Sequence, residues 1–315
     1  MKIELNEIIN FIRINFKDIT EYQIQKYIDK KNRDYLFYKD IKSDNQFATI
    51  VKHKAKRLNY YFKLFLLLQG YFKNRINIDD LISYVENEKS DKKIYSYIRK
   101  KIIKKGGDYQ YNVMEKIITK KIKKHILDKG FKLKNYLDIG CGSGKKTYYV
   151  GKYLKLNQNN IYCADIKQWF SLESKRSKYI KNFGEIKNDK IPYQSNKFSM
   201  ISAFMVLHHV KNLNKLLKEI HRILKPGGYL YIHEHDAMTD FDRMLIDIQH
   251  SIFELVYRNN QNYINEYYGK YFDRFQWHYI MEKNNFKLVH YNFITKKIRV
   301  EITPTRYFYA IYKKI

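Results

Sequence analysis

The chain has 315 residues, and a mass of 38.5 kDa is enough for one large domain or two small ones. It contains no apolar run of the roughly 18 residues that a transmembrane helix requires, so we expect a soluble, cytoplasmic protein without a membrane partner. The net charge of +29 extends over the whole chain and favours a polyanionic partner such as RNA. The abundance of Lys, Ile, Asn and Tyr, all with AT-rich codons, is an equally good explanation and suggests a large-DNA-virus or low-GC origin.

Residues 1–107 are predicted to form a basic α-helical region. Up to residue 105 they contain one glycine and no proline, and their apolar residues recur with helical periodicity. Thr20 and Gln23 have the spacing of a capping box, which predicts that a helix starts before YQIQKYIDK. A further one or two helices are predicted over residues 47–73, and the pair Gly106-Gly107 is the predicted domain boundary.

The segment 47–73 is predicted to have a mixed basic and aromatic surface, and we expect the N-terminal region to recruit RNA. Docking of a partner protein and covering of an active site are the alternatives. The basic residues expected to contact RNA include Lys52, Lys54, Lys56 and Arg57.

From residue 108 the pattern changes, and short apolar runs alternate with amphipathic helical stretches. This alternation predicts an α/β fold with a Rossmann-like, doubly wound and mostly parallel sheet over residues 108–315. The core motifs occupy residues 135–235, and residues 236–315 form a C-terminal substrate or lid portion. The predicted strands are 135–140, 160–166, 198–204 and 228–235, and the predicted helices are 111–127, 146–156 and 213–224.

Three of the chain's 12 glycines stand at alternate positions in YLDIGCGSG, residues 136–144. Glycines in such a turn permit positive φ angles and let the backbone approach a ligand closely. A dinucleotide site would have the spacing G-x-G-x-x-G, whereas this segment has G-x-G-x-G after Asp138. A carboxylate on the preceding strand favours a ligand cation and argues against a phosphate.

The segment DIGCGSG resembles motif I of class I S-adenosylmethionine-dependent methyltransferases. The resemblance implies that S-adenosylmethionine is the cofactor, and that Asp138 helps to hold its amino group. It also implies that the cofactor lies on a loop made by Gly140, Cys141, Gly142 and Gly144.

The segment NIYCADI is similar to the second strand of the same family. The resemblance places Asp165 where the family binds the ribose hydroxyls, and Ile166 where it packs on adenine. Asp189 is the candidate for a second acidic contact with adenine, although its spacing to Pro192 is short. Glu185 or a backbone contact is the alternative.

Two further segments resemble the family in the expected order. IPYQSNKFSMISAFMVLHHV (191–210) is similar to its fourth strand and the turn that follows, with Ser199 where the family usually has Asp. Phe204 and Met205 either line the cofactor or pack in the core. LLKEIHRILKPGGYLYI (216–232) is similar to a helix, a sharp KPGG turn and the fifth strand. The resemblance covers residues 110–240 and is nearest to the type 11 group.

Methyl transfer from a sulfonium needs an aligned nucleophile, and a base only when that nucleophile is poor. His208 and His209 follow the fourth strand, and HEHD (233–236) ends the fifth. We therefore expect acceptor-side roles for His208, His209, Glu234, His235 and Asp236, with an ordinary polar strand end as the alternative. Alternate strand residues point to opposite faces, so we predict no metal site at HEHD. The two cysteines, Cys141 and Cys163, are too few for a disulfide framework, and their spacing does not predict a metal site.

The methyl acceptor remains open, with RNA slightly favoured. Aromatic residues interleaved with Lys and Arg after residue 240 could stack on bases, or could form an ordinary core and lid. The alternatives are methylation of a small molecule, a lipid or a protein, or a non-catalytic cofactor-binding subunit that binds RNA or acts as a scaffold. No oligomeric state is predicted.

Overall fold

The computed structural model describes residues 3–38, 109–167, 180–239, 267–293 and 306–315, with single positions between 83 and 254. The chain divides into two compact units. One contains residues 1–105, 236–276 and 294–306, and the other contains residues 106–235, 277–293 and 307–315. The predicted helices at 47–73, the basic residues from Lys52 to Arg57 and the Gly106-Gly107 boundary lie outside the described residues. The division into domains 1–107 and 108–315 stays a prediction.

Two N-terminal helices form the start of the first unit: α1 (Leu5–Asn15) and α2 (Glu21–Tyr38). The predicted capping box is confirmed at the start of α2. The backbone N–H of Gln23 donates to Oγ1 of Thr20 at 3.3 Å, and the N–H of Thr20 donates to Oε1 of Gln23 at 2.8 Å. Each group satisfies a donor that the helix itself leaves unbonded. The buried side chains of this part include Ile8, Ile12, Phe16, Ile24 and Tyr27.

A buried carboxylate organises the polar contacts of this unit. Asp273 has no solvent exposure and accepts hydrogen bonds from the N–H groups of Phe275 and Gln276, both at 2.9 Å. It also accepts one from the hydroxyl of Tyr27 at 3.0 Å and forms an ion pair with Lys31 at 2.7 Å. Asp273 therefore connects α2 to the first turn of the helix that begins at Arg274.

The second unit contains a seven-stranded sheet in the order β3-β2-β1-β4-β5-β7-β6. Strands β1 to β5 are parallel, and β7 is antiparallel to both β5 and β6. The α/β, Rossmann-like and mostly parallel architecture predicted from the sequence is confirmed. The strands are β1 (Tyr136–Ile139), β2 (Ile161–Asp165), β3 (Asn182–Glu185), β4 (Phe198–Phe204), β5 (Leu224–His235), β6 (Phe286–Phe293) and β7 (Tyr307–Lys314).

The remaining helices are α3 (Tyr109–His125), α4 (Lys145–Tyr153), α5 (Leu213–Ile223) and α6 (Arg274–Lys283). Helices α3 and α4 cover one face of the sheet. Every residue of β1 and β4 is buried, as expected for central strands of a parallel sheet. The core beneath these helices includes Ile118, Ile122, Val150, Met200, Tyr231 and Ile311. Among the described residues, no helix is long and apolar enough to cross a membrane.

One predicted boundary is wrong. The sequence predicts a sharp KPGG turn and a strand from Gly228, whereas β5 already begins at Leu224. Leu224 pairs with Phe198 of β4, and the ladder resumes at Tyr229 opposite Met200. The intervening residues form an irregularity in the ladder, with Gly227 at a φ of +70°, so they interrupt the pairing without ending the strand.

We predict that Asp273→Asn destabilises the protein by about 3–5 kcal/mol, because it leaves the ammonium of Lys31 partly buried without its carboxylate. Urea unfolding of the purified chain measures the difference. Glu21→Gln is the matched control, since it breaks the exposed pair between Arg13 and Glu21 and should change stability little. Equal losses for the two variants would show that the Asp273 contacts contribute no more than a surface pair.

Candidate cofactor and acceptor site

The glycine loop follows β1 and meets the end of β2. Gly140 has a φ of +66°, and a Cβ there would lie 2.0 Å from Cγ2 of Val206, so that only glycine fits. The N–H of Gly140 donates to the carbonyl of Ala164 at 2.8 Å. Gly142, at a φ of +53°, has no atom within 4 Å of a Cβ placed there. The loop is thus closed on the protein side at Gly140 and open at Gly142, as approach of a ligand requires.

The carboxylate of Asp165 lies beside this open part of the loop. Its Oδ2 accepts the N–H of Gly142 at 2.9 Å, and its Oδ1 accepts the N–H of Ile166 at 2.8 Å. Each carboxylate oxygen has a second lone pair, so the pair of hydroxyls on a ribose fits here. The side chain of Ile166 is 66% exposed, which leaves an apolar surface next to the carboxylate. These residues fit the predicted cofactor, and their individual roles stay predictions.

Asp138 lies beneath the loop, with only 2% of its surface exposed. Its Oδ1 accepts a hydrogen bond from Ser202 at 2.5 Å, and its Oδ2 accepts one from Thr147 at 2.6 Å. Burial raises the pKa of this carboxyl to about 6, and the two hydroxyls act in the opposite direction. Its observed partners are therefore internal, and its predicted contact with the cofactor's amino group stays a prediction. The sequence did not point to Thr147 or Ser202.

Cys141 and Cys163 form a disulfide, which sequence spacing did not predict. Cys141 belongs to the glycine loop and Cys163 to β2, and their Cα atoms are 5.8 Å apart. Cysteines 22 residues apart become neighbours because the loop folds back over the adjacent strand. The bond adds a covalent connection to the hydrogen bonds between loop and strand.

The two acidic candidates for the adenine contact have different surroundings. Asp189 lies in a turn, at a φ of +61°, and its Oδ2 accepts a hydrogen bond from the side-chain amide of Asn212 at 3.1 Å. Glu185 is the last residue of β3 and pairs in register with Asp165. The structure thus brings Glu185, the alternative candidate, next to Asp165, the predicted ribose contact.

The turn after β4 begins with Phe204 and Met205. The ring of Phe204 packs edge-to-face against Tyr231, with the centroids 5.5 Å apart. Met205 has a φ of +60°, a strained conformation for a residue with a side chain. Its N–H donates to the carbonyl of His233 at 2.8 Å, which fixes the turn to β5.

Glu234 holds the next residues of the same turn. The buried carboxylate accepts the N–H groups of Val206 at 3.1 Å and Leu207 at 2.8 Å, and its Oε2 lies 2.5 Å from Nδ1 of His208. Burial raises the pKa of Glu234 to about 8 and lowers that of His208 to about 3. The pair therefore shares one proton between a neutral imidazole and a carboxyl group.

The other acceptor-side candidates are distributed unevenly. His209 is exposed, whereas His235 is buried with its ring centroid 4.9 Å from that of His208. Asp236 is buried and forms an ion pair with Arg274, whose backbone N–H also donates to it at 2.9 Å. These contacts give Glu234 and Asp236 structural roles, and contact of any of these residues with the acceptor stays a prediction.

Ser199, which stands where the family usually has an aspartate, still orders the start of β4. Its Oγ accepts the N–H of Lys134 at 2.9 Å and donates to the carbonyl of Asn135 at 3.1 Å. The shorter hydroxyl thus connects β4 to the segment before β1.

We predict that stability falls between pH 6.5 and about 8 relative to Glu234→Gln. In this interval the unfolded glutamate is ionised, because its pKa is about 4.5, whereas the folded carboxyl keeps its proton up to about pH 8. His208 has a lowered pKa, so its contribution to stability is lost only as the pH falls below 6.5 and does not change in this interval. Urea unfolding of both proteins across this range measures the difference, and a parallel pH dependence would contradict the assignment.

We predict that Asp165→Ala lowers the affinity for S-adenosylmethionine at least about tenfold, because charged hydrogen bonds to the ribose are lost. Isothermal titration measures this, and circular dichroism verifies folding. Glu282→Ala removes an exposed carboxylate from α6, is the matched control and should stay within about twofold. An equal loss in Glu282→Ala would mean that the effect is not specific to Asp165, and parent-like binding by Asp165→Ala would refute the ribose assignment.

Comparison with curated proteins finds methyl-transferring and related enzymes. The chain is 30% identical over 145 residues to the tRNA U34 carboxymethyltransferase of Nautilia profundicola, covering 43% of this chain and 45% of that protein. It is 28% identical over 143 residues to the ubiquinone/menaquinone biosynthesis C-methyltransferase UbiE of Rickettsia typhi, covering 41% and 58%. The chain thus matches about half the length of these curated relatives.

Among solved structures, an S-adenosylmethionine-dependent methyltransferase of Thermotoga maritima, described as a possible histamine N-methyltransferase, is 17% identical. The match covers 66% of this chain and 94% of that one, with a TM-score of 0.43. The family described as a methyltransferase domain matches residues 109–291, which is more than half of the chain. The chain therefore belongs to the methyltransferase domain family.

Proposed function

We propose that the protein transfers the methyl group of S-adenosylmethionine to RNA. The observation that carries this proposal is a basic groove on the second unit, the one that contains the sheet. The groove lies between α3 and the end of α4. Its lining residues are Lys116, Thr119, Lys120, Lys123, Lys124, Asp128 and Tyr153.

The groove follows from the residue pattern of α3. Ile118, Ile122 and Ile126 are buried at helical spacing and attach the helix to the core. The four groove lysines are exposed on the opposite side and extend over about 12 Å of helix. The ammonium of Lys116 lies 5.9 Å from the ring centroid of Tyr153. Such a combination suits a nucleic acid, because ammonium groups bind its phosphates and an aromatic ring stacks on its bases.

The local electrostatic field supports a polyanionic partner. The rings of His125 and His290 stack with centroids 3.6 Å apart. Burial, followed by the charges of His125, Lys121, Lys124 and Lys129, lowers the pKa of His290 to about 4. Several positive charges therefore act on one end of α3, where phosphate groups would relieve their mutual repulsion.

One of the relatives is, by name, a tRNA U34 carboxymethyltransferase, which is consistent with an RNA substrate. Other relatives carry the names of sterol and quinone methyltransferases, so relatedness alone does not choose the acceptor. The basic groove is the feature that favours RNA.

The part of this chain in the reaction is to bind and align. S-adenosylmethionine, when bound, supplies an electrophilic methyl group on a sulfonium. Gly142 and Asp165 would hold the nucleoside, and the turn at Met205 and Val206 would orient the acceptor next to it. A fixed turn favours transfer because alignment of the reacting atoms is a large part of the barrier.

We predict that purified protein transfers labelled methyl groups from S-adenosylmethionine into total cellular RNA, and that nuclease releases the label. Lys120→Gln with Lys124→Gln should weaken RNA binding and reduce the slope of log affinity against log salt by up to about 1.4, or about 0.7 for each lost phosphate contact. Filter binding at several salt concentrations measures the slope.

The control is Lys211→Gln with Lys218→Gln, which removes the same charge from exposed positions at and before α5. It should change the slope little, and an equal effect of both double variants would mean that net charge alone drives binding. Asp165→Ala is the background control for the label. Label only in protein, lipid or small metabolites would overturn RNA as the acceptor while leaving the methyltransferase assignment intact.

A further inference from the structure

A row of aromatic and polar side chains crosses the carboxyl ends of three strands. Phe204 of β4 pairs with His233 of β5, and His233 pairs with Tyr309 of β7. Residues paired in register present their side chains on the same face of a sheet. The ring of His233 stacks on that of Tyr309, with centroids 4.0 Å apart and planes at 15°. This row lies where the methyl acceptor and the methionine part of the cofactor are expected to meet.

Glu115 of α3 faces the same side of the sheet. The inner positions of α3 include Glu115, Ile118 and Ile122, and Ile126 follows the helix. The three isoleucines share one core cluster with Phe204 and Tyr309. A carboxylate thus occupies a helix position at which periodicity calls for an apolar residue. Glu115 has no solvent exposure, and no other described residue donates a hydrogen bond to either of its carboxylate oxygens.

Two polar atoms of the aromatic row next to Glu115 are also buried without a hydrogen bond. They are the hydroxyl of Tyr309 and Nε2 of His233, and neither has a partner among the described residues. Burial raises the pKa of Tyr309, and the carboxylate of Glu115 acts in the same direction.

Such a group is unfavourable by itself. A buried polar atom without a hydrogen bond is rare in folded proteins, and a buried carboxylate is still less favourable. Burial accordingly raises the pKa of Glu115, an effect that the residue's own backbone N–H and then the charge of Lys146 oppose. Lys146 forms no ion pair with Glu115 among the described contacts, and its ammonium lies 5.4 Å from the ring centroid of Phe204. The carboxylate is therefore arranged to receive a donor that the described chain does not provide.

We propose that Glu115, Tyr309 and His233 form a recess that binds an amino group of a ligand. The two carboxylate oxygens and the phenol oxygen accept N–H donors, and the neighbouring aromatic rings favour a cation. The amino group comes either from the cofactor's methionine part or from an amine on the methyl acceptor. The proposal rests on methyl transfer and does not depend on RNA as the acceptor.

The test compares the parent with Glu115→Gln, using ligands that differ by one amino group. S-adenosylhomocysteine and its analogue without the α-amino group are titrated by calorimetry. Butylammonium chloride and 1-pentanol are then tested by saturation-transfer NMR on protein loaded with S-adenosylhomocysteine.

If the amino group is the cofactor's, its removal lowers affinity at least about tenfold in the parent and less than about twofold in Glu115→Gln. If it belongs to an acceptor, the parent distinguishes butylammonium from 1-pentanol by at least about tenfold and Glu115→Gln does not. Either result supports the recess. The recess is overturned if the parent distinguishes neither pair of ligands, or if Glu115→Gln distinguishes both pairs as well as the parent does.

Glu115→Leu separates ligand binding from a structural role. Because it removes a buried carboxylate that has no described donor, the ligand-free variant should unfold at a higher temperature than the parent. Glu7→Gln, at an exposed position of α1, is the control and should match the parent in every measurement. A lower unfolding temperature for Glu115→Leu with normal discrimination between the ligands would assign the residue to folding alone. None of these outcomes depends on label entering RNA, so each proposal fails separately.

Discussion

The geometry of the cofactor site depends on the buried carboxylate of Asp138. A carboxylate inside a protein is tolerated only with good donors, and here they are Ser202 of β4 and Thr147 of α4. The glycine loop runs from Asp138 to α4, so these two hydrogen bonds fix both of its ends. Its remaining freedom is limited by the pairing of Gly142 with Asp165. One internal acid thus gives the loop its shape before any ligand binds.

The turn after β4 is built on the same principle. Glu234 stands where β5 ends and bonds to the N–H groups of Val206 and Leu207 and to the ring of His208. The strained backbone of Met205 persists because its neighbours are held in this way. Glu115 has the same degree of burial but none of these donors. The contrast distinguishes an acid that supports the scaffold from one that is suited to a ligand.

Patterns of local sequence predicted the scaffold well. The four strands and three helices predicted between 111 and 235 are present with their bounds within three residues, except at the start of β5, where the KPGG residues interrupt a ladder without ending it. Strand β3 was not predicted. Long-range partners were beyond such patterns. Nothing near Asp138 in the sequence indicates that it bonds to Ser202, 64 residues later, and spacing gives no sign that Cys141 meets Cys163. Strand order decides these contacts, and a single sequence reveals the strands more readily than their order.

The disulfide between Cys141 and Cys163 has a consequence for measurements of cofactor binding. It closes the cofactor loop onto β2, so the chemical state of two sulfur atoms becomes part of the preorganisation of the site. A thiol reagent in the buffer would release one connection of the loop while leaving its hydrogen bonds in place. Affinity for the methyl donor is then a property of the protein and its redox surroundings together, and values obtained with and without reductant describe two different forms of the same chain.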